Sequence, residues 1–142
     1  MQKETVSETP LNYDLSLRVK ECGFNEPCRY YYEGFTLKGE TFYAELWASS
    51  EINDYRTNND SRNSLSAPYP SQVIRWLRIV HGITVEVSMY ADQKSCWVLV
   101  SEKDVPETSY CCDYDTHPLA EIAGIEQALI ILKKRLDNGT GN

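Results

Sequence analysis

The sequence predicts one α+β domain, in which helices cover one face of a mostly antiparallel sheet. Apolar residues recur at helical spacing in some segments and alternate with polar residues in others, and short turns join the strands that follow one another. Short turns require antiparallel pairing, because a parallel pair needs a crossover of about a dozen residues or more. With 142 residues the chain has the usual size of one domain, so we expect residues 1–142 to share a single core.

The first helix is predicted over residues 10–22. Thr9 is a suitable N-cap, Pro10 suits the first helical position, and Gly23 can end the helix in a left-handed conformation. The inward stripe has spacings of four, four and three residues and consists of Leu11, Leu15, Val19 and Cys22. Residues 1–8 are polar and are expected to form a flexible tail.

A β-hairpin rich in aromatic residues is predicted next. Its strands cover 28–33 and 41–48, and Gly34 and Gly39 bracket the connection. Residues 49–68 are rich in Asn and Ser and have no period, so they predict a long polar loop. Loops of this length in compact domains are usually mobile or functional.

The second predicted helix begins at Pro70 and ends before Gly82. Its inward stripe consists of Val73, Ile74, Leu77 and Val80, with Trp76 beside it. Strands follow over 83–90, 95–101 and 109–114, and the first of them alternates cleanly between apolar and polar residues.

The last predicted helix has Thr116 or His117 near its N-cap and residues 138–142 as a flexible tail. Its apolar stripe consists of Ile122, Ile125, Leu129, Leu132 and Leu136. The complete order is α-β-β-(long loop)-α-β-β-β-α. From Pro70 onward, the α-β-β-β-α order resembles that of double-stranded RNA-binding domains and approaches that of small β-β-β-α antitoxins, although fold order alone does not determine function.

Charge and composition favour some partners over others. The chain carries 14 Lys and Arg against 21 Asp and Glu, a net charge of -7, and its cations form no patch. Nucleic acid is therefore not the expected partner, because phosphate backbones are bound by clustered basic residues. The acidity fits a cytoplasmic protein or a domain that docks on a basic partner.

Targeting and membrane signals are missing from the sequence. The first eight residues lack the apolar run of a signal peptide, and the apolar run at 128–132 is far shorter than the roughly 20 residues that span a bilayer. We therefore expect a cytoplasmic protein without membrane contact. The cysteines are odd in number and form no CxxC pair, which argues against a disulfide framework or a zinc site. They are Cys22, Cys28, Cys96, Cys111 and Cys112.

One segment, 111–117, has the residue types of a thiol enzyme. It contains Cys111, Cys112 and His117 with two aspartates between them, but no sequence typical of an oxyanion hole accompanies them. Zinc ligands usually come in closely spaced pairs, and the acidic residues of the long loop lack the order of a calcium loop. No catalytic residue, metal ligand or cofactor is therefore predicted, and the thiol enzyme is the third of three alternatives.

The hairpin offers a more specific hypothesis. Two-residue periodicity places Tyr31, Tyr43 and Trp47 on one face, among carboxylates. Rings with one wet end are common at protein interfaces, so these three residues form the predicted partner-binding surface. The alternative is that another helix or the long loop covers this face.

Two stretches carry a family resemblance. The run 66–83, which contains Ala67-Pro68, Trp76-Leu77-Arg78 and His81-Gly82-Ile83, resembles a run in small phage and prophage proteins of gut Bacteroidales. The run 20–28, a helix end at Gly23-Phe24 followed by Pro27-Cys28, resembles the opening of the same proteins. That family has no established activity, so the resemblance implies only a bacterial or phage cytosolic context.

The sequence thus favours a non-enzymatic accessory protein of phage or mobile-element origin that binds another protein. The alternative is an RNA-binding or antitoxin-like module on the α-β-β-β-α half.

Overall fold

A computed structural model of the chain describes residues 8–37, 41–59, 64–91, 95–103 and 110–139, with the side chains of 35–37, 41–43 and 110–112 outside that description. The α+β class is confirmed, because the described residues form three helices and two antiparallel sheets of three strands each. The chain groups into two compact units, Met1–Lys20 with Asn25–Pro70, and Glu21–Phe24 with Ser71–Asn142. The sequence predicts a mostly antiparallel sheet, and the described strands are antiparallel but form two sheets.

The first helix, α1 (Tyr13–Glu21), begins three residues later than predicted. The backbone N–H of Leu11 donates to the Pro68 carbonyl at 2.9 Å, which holds this part of the chain outside the helix. Asn12 is the N-cap, since its Oδ1 accepts the N–H of Leu15 at 2.9 Å. Thr9 and Pro10 therefore precede the cap. The helix end is confirmed, because Gly23 has a φ of 95°.

The sheet of the first unit contains β1 (Tyr30–Leu37), β2 (Thr41–Ala48) and β3 (Leu65–Ala67), in the order β2-β1-β3. Strand β1 pairs antiparallel with both neighbours, and its register places Tyr30 opposite Ala48 and Ala67. Gly34 lies inside β1, opposite Ala44, and does not end the strand as predicted. Gly39 lies outside the described residues.

The described parts of the predicted loop, 49–59 and 64–68, are not without regular structure. They contain a short 3-10 helix (Ile52–Asp54), an isolated antiparallel bridge between Cys28 and Arg56, and strand β3. Their polar side chains bond to the backbone: Asn58 Oδ1 accepts the Ser66 N–H at 2.9 Å, and the Ser66 hydroxyl donates to the Arg56 carbonyl at 3.0 Å. An Asn- and Ser-rich segment can therefore be ordered by its own side chains.

The second unit contains α2 (Pro70–His81) from Ser71 onward, β4 (Ile83–Met89), β5 (Cys96–Glu102), β6 (Tyr110–Tyr114) and α3 (His117–Gly139). Its strand order is β4-β5-β6. Thr116 caps α3, because its Oγ1 accepts the Leu119 N–H at 3.3 Å, as predicted. Gly82 has the predicted left-handed conformation, with a φ of 65°. The likeness to double-stranded RNA-binding domains stays a prediction.

The inward face of α2 differs from the predicted stripe. Val73 and Leu77 are buried as expected, but Val80 is 59% exposed and Trp76 only 5% exposed. The Trp76 ring packs edge-to-face against the rings of Phe24 and His81, with centroids 5.3 Å and 4.6 Å away. The buried face of α2 thus includes Trp76, whose large ring packs on Phe24 and His81, whereas Val80 in the last turn is exposed.

The remaining apolar patterns are mostly buried as predicted. Ile83, Val85, Val98 and Val100 lie in the core of the second unit, together with Ile125, Leu129 and Leu132 of α3. Met89 and Leu136, at the ends of their stripes, are exposed. No helix within the described ranges combines the length and the apolar character needed to cross a bilayer.

Candidate functional site

The predicted aromatic surface lies on one face of the β1–β2 hairpin. The register pairs Tyr31 with Trp47 and Phe35 with Tyr43. Directly opposed residues of an antiparallel pair share a face, so the backbone brings Tyr31, Tyr43 and Trp47 to the same side of the sheet. The side chain of Tyr43 lies outside the described residues.

Tyr31 is covered at this face. Its exposed fraction is 9%, and the guanidinium carbon of Arg56 lies 3.7 Å from its ring centroid. The same guanidinium donates to Glu33 Oε1 at 3.0 Å. The segment predicted as a long loop therefore covers this end of the hairpin, which was one of the two interpretations left open. Tyr31 contributes to packing rather than to an open surface.

Trp47 and Glu45, by contrast, are accessible. Trp47 is 48% exposed, and Glu45 precedes it by two residues on the same face. Glu45 lies directly opposite Glu33, and like charges in this position destabilise a sheet. Arg56 neutralises Glu33, whereas no cation in the described part of the chain forms an ion pair with Glu45. Among the described residues, the Glu45 carboxylate therefore has no counter-ion, and it lies two residues from an exposed ring.

Strand β2 is an edge of its sheet, since no described strand pairs with its outer side. The Ser49 N–H donates to the Arg29 carbonyl at 2.8 Å, which fixes the odd-numbered residues of β2 as those bonded to β1. Hydrogen bonding alternates along an antiparallel strand, so the N–H and C=O groups of Ala44 and Leu46 point to the open edge. The side chain of Leu46 is exposed on the face opposite Trp47.

Described residues line a cavity in each of the two units. The cavity of the first unit has about 270 Å³ and is lined by residues of α1 and β1 together with Ser64 and Leu65. The cavity of the second unit has about 280 Å³ and is lined by residues of α2, β4 and α3, including Arg75, Arg78 and Glu121.

The segment of the thiol-enzyme alternative is only partly described. Cys111 and Cys112 lie in β6, and their side chains are outside the description. His117 begins α3 with its Nδ1 3.4 Å from Glu121 Oε1. No group of three or more His, Cys, Asp and Glu side chains with metal-binding geometry occurs within the described ranges. The thiol enzyme stays an untested alternative.

Comparison with known proteins adds no assignment: no family model matches this sequence, and no significantly similar curated protein or solved structure was found. The resemblance to phage proteins stays a prediction.

The sequence predicts the aromatic face of the hairpin. It does not predict which part of that face is covered and which part is accessible. Glu33 lies opposite Glu45 in the register of the hairpin. This register could have been derived from the alternating pattern of the two strands. The position of Arg56 gave no such signal, because it reaches Glu33 across 23 residues of sequence.

Proposed function

We propose that this chain is a non-enzymatic interaction protein whose β2 edge binds another protein, by accepting an extended, basic segment of the partner as an additional strand. The observation that carries this proposal is the combination on β2 of an open edge, a half-exposed Trp47 and a Glu45 without a described counter-ion. The proposal narrows the predicted surface of Tyr31, Tyr43 and Trp47 to the part that is accessible.

The backbone geometry supports strand addition. The outward N–H and C=O groups of Ala44 and Leu46 are the groups with which an added strand would form its ladder. In strand addition, main-chain hydrogen bonds supply affinity and alternate side chains supply specificity. Trp47 and Glu45 share one face of β2. The side chains of an added strand that lie opposite them would contact the Trp47 ring and the Glu45 carboxylate, and these contacts would select the partner sequence.

Charge favours a basic partner. An Arg or Lys beside Glu45 would supply the counter-ion that Glu45 lacks among the described residues, and it could also lie against the Trp47 ring. A second copy of this chain would bring together two proteins of net charge -7. Electrostatic repulsion disfavours that pairing and favours association with a basic segment.

Synthetic peptides test this proposal. An eight-residue peptide of alternating Val and Arg should bind the full chain in a calorimetric titration, and the same peptide with Glu in place of Arg should not. Glu45→Gln and Trp47→Ala should each weaken binding by about tenfold, the effect of one lost charge-assisted or ring contact. Glu51→Gln, an exposed change outside the hairpin, is the matched control and should bind like the wild type.

Two further changes isolate the backbone contribution. Leu46→Pro removes an outward N–H from an edge strand, where proline is tolerated, and should abolish binding while the chain stays folded. Methylating alternate amide nitrogens of the peptide gives the same test without altering the protein. Equal binding of the Arg and Glu peptides, or no loss with either change, would refute strand addition. Self-association lost in Leu46→Pro would identify a second copy as the occupant and refute the basic partner.

A further inference from the structure

The cavity of about 280 Å³ in the second unit lies between α2, β4 and α3. Its lining has an apolar part and a charged part. The apolar part consists of Ile74, Val85 and Val87. The charged part consists of Arg75 and Arg78 of α2 and of His117 and Glu121 of α3. A molecule that matches this lining has one apolar group and one charged group.

Arg75 and Arg78 provide two cations on the α2 side of the cavity. Both side chains are exposed, so a molecule that enters from solvent can contact them. Positions three apart on a helix place their Cβ atoms about 5–6 Å from each other, so both guanidinium groups can reach one group of a ligand. Neither forms an ion pair within the described ranges. Their positive charge is therefore available to a ligand.

The α3 side of the cavity also favours an anion. His117 is the first residue of this 23-residue helix, and the N-terminus of a helix carries a partial positive charge. The Glu121 carboxylate opposes it, and its Oε1 lies 3.4 Å from His117 Nδ1. The lining thus combines two guanidinium groups with one carboxylate, which leaves it positive even when His117 is neutral. A positive cavity contrasts with the net charge of -7 of the whole chain.

The two guanidinium groups favour a phosphate over a carboxylate. One guanidinium fork occupies both oxygens of a carboxylate, whereas a phosphoryl group has three terminal oxygens and can accept from two forks. The cavity volume lies just below the range of roughly 300 to 1,000 Å³ that drug-sized ligands occupy. A phosphoryl group that carries one small apolar substituent matches this size and this lining.

We propose that the cavity of the second unit binds a small phosphate monoester, with its phosphoryl group at Arg75 and Arg78. The apolar group of the ester packs against Ile74, Val85 and Val87. The site is independent of the proposed strand addition, because β2 belongs to the first unit and all the lining residues belong to the second. Failure of either proposal leaves the other intact.

The test uses phenyl phosphate as the probe in an NMR titration of the full chain at neutral pH. We expect a dissociation constant of about 1 mM, the range that a ligand of this size reaches, and shifts concentrated in α2 and the start of α3. Inorganic phosphate should bind about tenfold more weakly because it has no ring to cover the apolar part. Phenyl sulfate has a similar shape but only one negative charge, and it should also bind about tenfold more weakly.

Variants of the arginines assign the phosphoryl contacts. Arg75→Gln and Arg78→Gln should each weaken phenyl phosphate binding by about tenfold, the effect of one lost charge-assisted contact. Arg78→Lys keeps the charge but loses the planar fork, so it should recover only part of that loss. Lys133→Gln and Lys134→Gln remove the same charge from exposed positions outside the cavity, and as matched controls they should bind like the wild type.

A variant of the carboxylate should act in the opposite direction. Glu121→Gln removes the negative charge that opposes the ligand and should strengthen phenyl phosphate binding by about threefold, the effect of one charge several ångströms away in water. Damage to the fold would weaken binding, so a gain of affinity can only report the charge at the cavity.

The proposal would be overturned if phenyl phosphate did not bind the wild-type chain at millimolar concentration, or if its shifts lay outside α2, β4 and α3. Binding that neither Arg75→Gln nor Arg78→Gln weakens would also overturn it. Equal affinity for phenyl sulfate would refute recognition of a phosphate, and equal affinity for inorganic phosphate would refute recognition of a monoester.

Discussion

The guanidinium carbon of Arg56 lies 3.7 Å from the centroid of the Tyr31 ring. The backbone of Arg56 also exchanges two hydrogen bonds with that of Cys28, at 2.9 Å and 3.1 Å. Arg56 thus makes three interactions: it stacks on the Tyr31 ring, pairs with the Cys28 backbone and forms an ion pair with Glu33. Arg56 therefore fastens the segment after the hairpin to β1.

Replacing Arg56 by Lys should lower the free energy of unfolding by about 1–2 kcal/mol. The flat guanidinium can stack on Tyr31 and bond Glu33 together, whereas an ammonium cannot satisfy both geometries. Urea denaturation would measure the effect. Arg75→Lys, an exposed change without a described ion pair, is the matched control. Equal stability of the two variants would show that the stacking contributes nothing.

Tyr31 and Trp47 should differ sharply when each is replaced by Ala. Tyr31→Ala removes a buried ring and should lower the free energy of unfolding by about 3–5 kcal/mol, the usual loss for a buried aromatic side chain. Trp47→Ala removes a half-exposed ring and should lower the free energy of unfolding by about 1 kcal/mol or less. Its main effect should be on partner binding. Chemical denaturation of both variants would measure this, and comparable losses would show that Trp47 belongs to the core.

The helix ends and the strands of the second unit were predictable because their signals are local. Gly23 and Gly82 have the positive φ that ended each predicted helix, and Thr116 caps α3 as its residue type suggested. Alternation in β4 correctly placed Ile83 and Val85 in the core. Such features depend on a few neighbouring residues, so the sequence is enough to recognise them.

The errors share a different cause, which is competition from contacts far along the chain. Asn12 replaces Thr9 as the cap because Leu11 is bonded to Pro68. Strand β3 has only three residues and a serine at its centre, so it is too short to show a period. Trp76, which the apolar pattern placed beside the inward stripe, is buried because it packs on Phe24, and no local pattern shows such a partner.

The candidate sites were only partly predictable for the same reason. The aromatic face follows from alternation, which is local. On this face Tyr31 is covered and Trp47 is accessible, because Arg56 lies over the Tyr31 ring. Arg56 belongs to the segment after the hairpin, so the hairpin sequence does not show this contact. The cavity of the second unit combines two helices and a strand, and its residues Arg78 and His117 are far apart in the sequence, so no spacing within one element shows that they line the same cavity.

Acidification should remove a stabilising contribution from His81. Burial, reinforced by the cation of Arg135, lowers the pKa of His81 in the folded chain below its ordinary value of about 6.5. The unfolded state then binds the proton more readily, so this contribution is complete above about pH 6.5 and is lost as the pH falls through the folded pKa. Arg135, whose Nη1 donates to the His81 carbonyl at 2.7 Å, also pairs with Glu102.

The measurement compares the wild type with His81→Asn by urea denaturation between pH 7.5 and pH 5. The free energy of unfolding of the wild type minus that of the variant should decrease as the pH falls. Carboxylates titrate in both proteins and largely cancel in this difference, which leaves the effect of His81. A difference that stays constant or grows on acidification would contradict the prediction.

Gly124 lies in the first half of α3, where the helix backbone is close to side chains of β4 and β5. A Cβ at this position would lie 2.5 Å from Val85 Cγ1 and 2.8 Å from Val98 Cγ2, shorter than any normal contact. In an exposed helix, Gly→Ala stabilises by about 1 kcal/mol, but overpacking a core usually costs about 1–3 kcal/mol. Gly124→Ala should therefore destabilise the chain despite the better helix propensity of alanine.

The matched control is Gly139→Ala, since a Cβ at Gly139 would meet no atom within 4 Å. Its stability should equal or slightly exceed that of the wild type. The clash can also be tested by coupling: Val98→Ala alone should destabilise by leaving a cavity, but combined with Gly124→Ala it should cost less than the sum of the two single changes. Strictly additive losses, or a Gly124→Ala variant as stable as the wild type, would contradict the prediction. Either result would mean that α3 can move away from the sheet to accommodate the added methyl group without loss of stability. The small residue at 124 would then have no role in their packing.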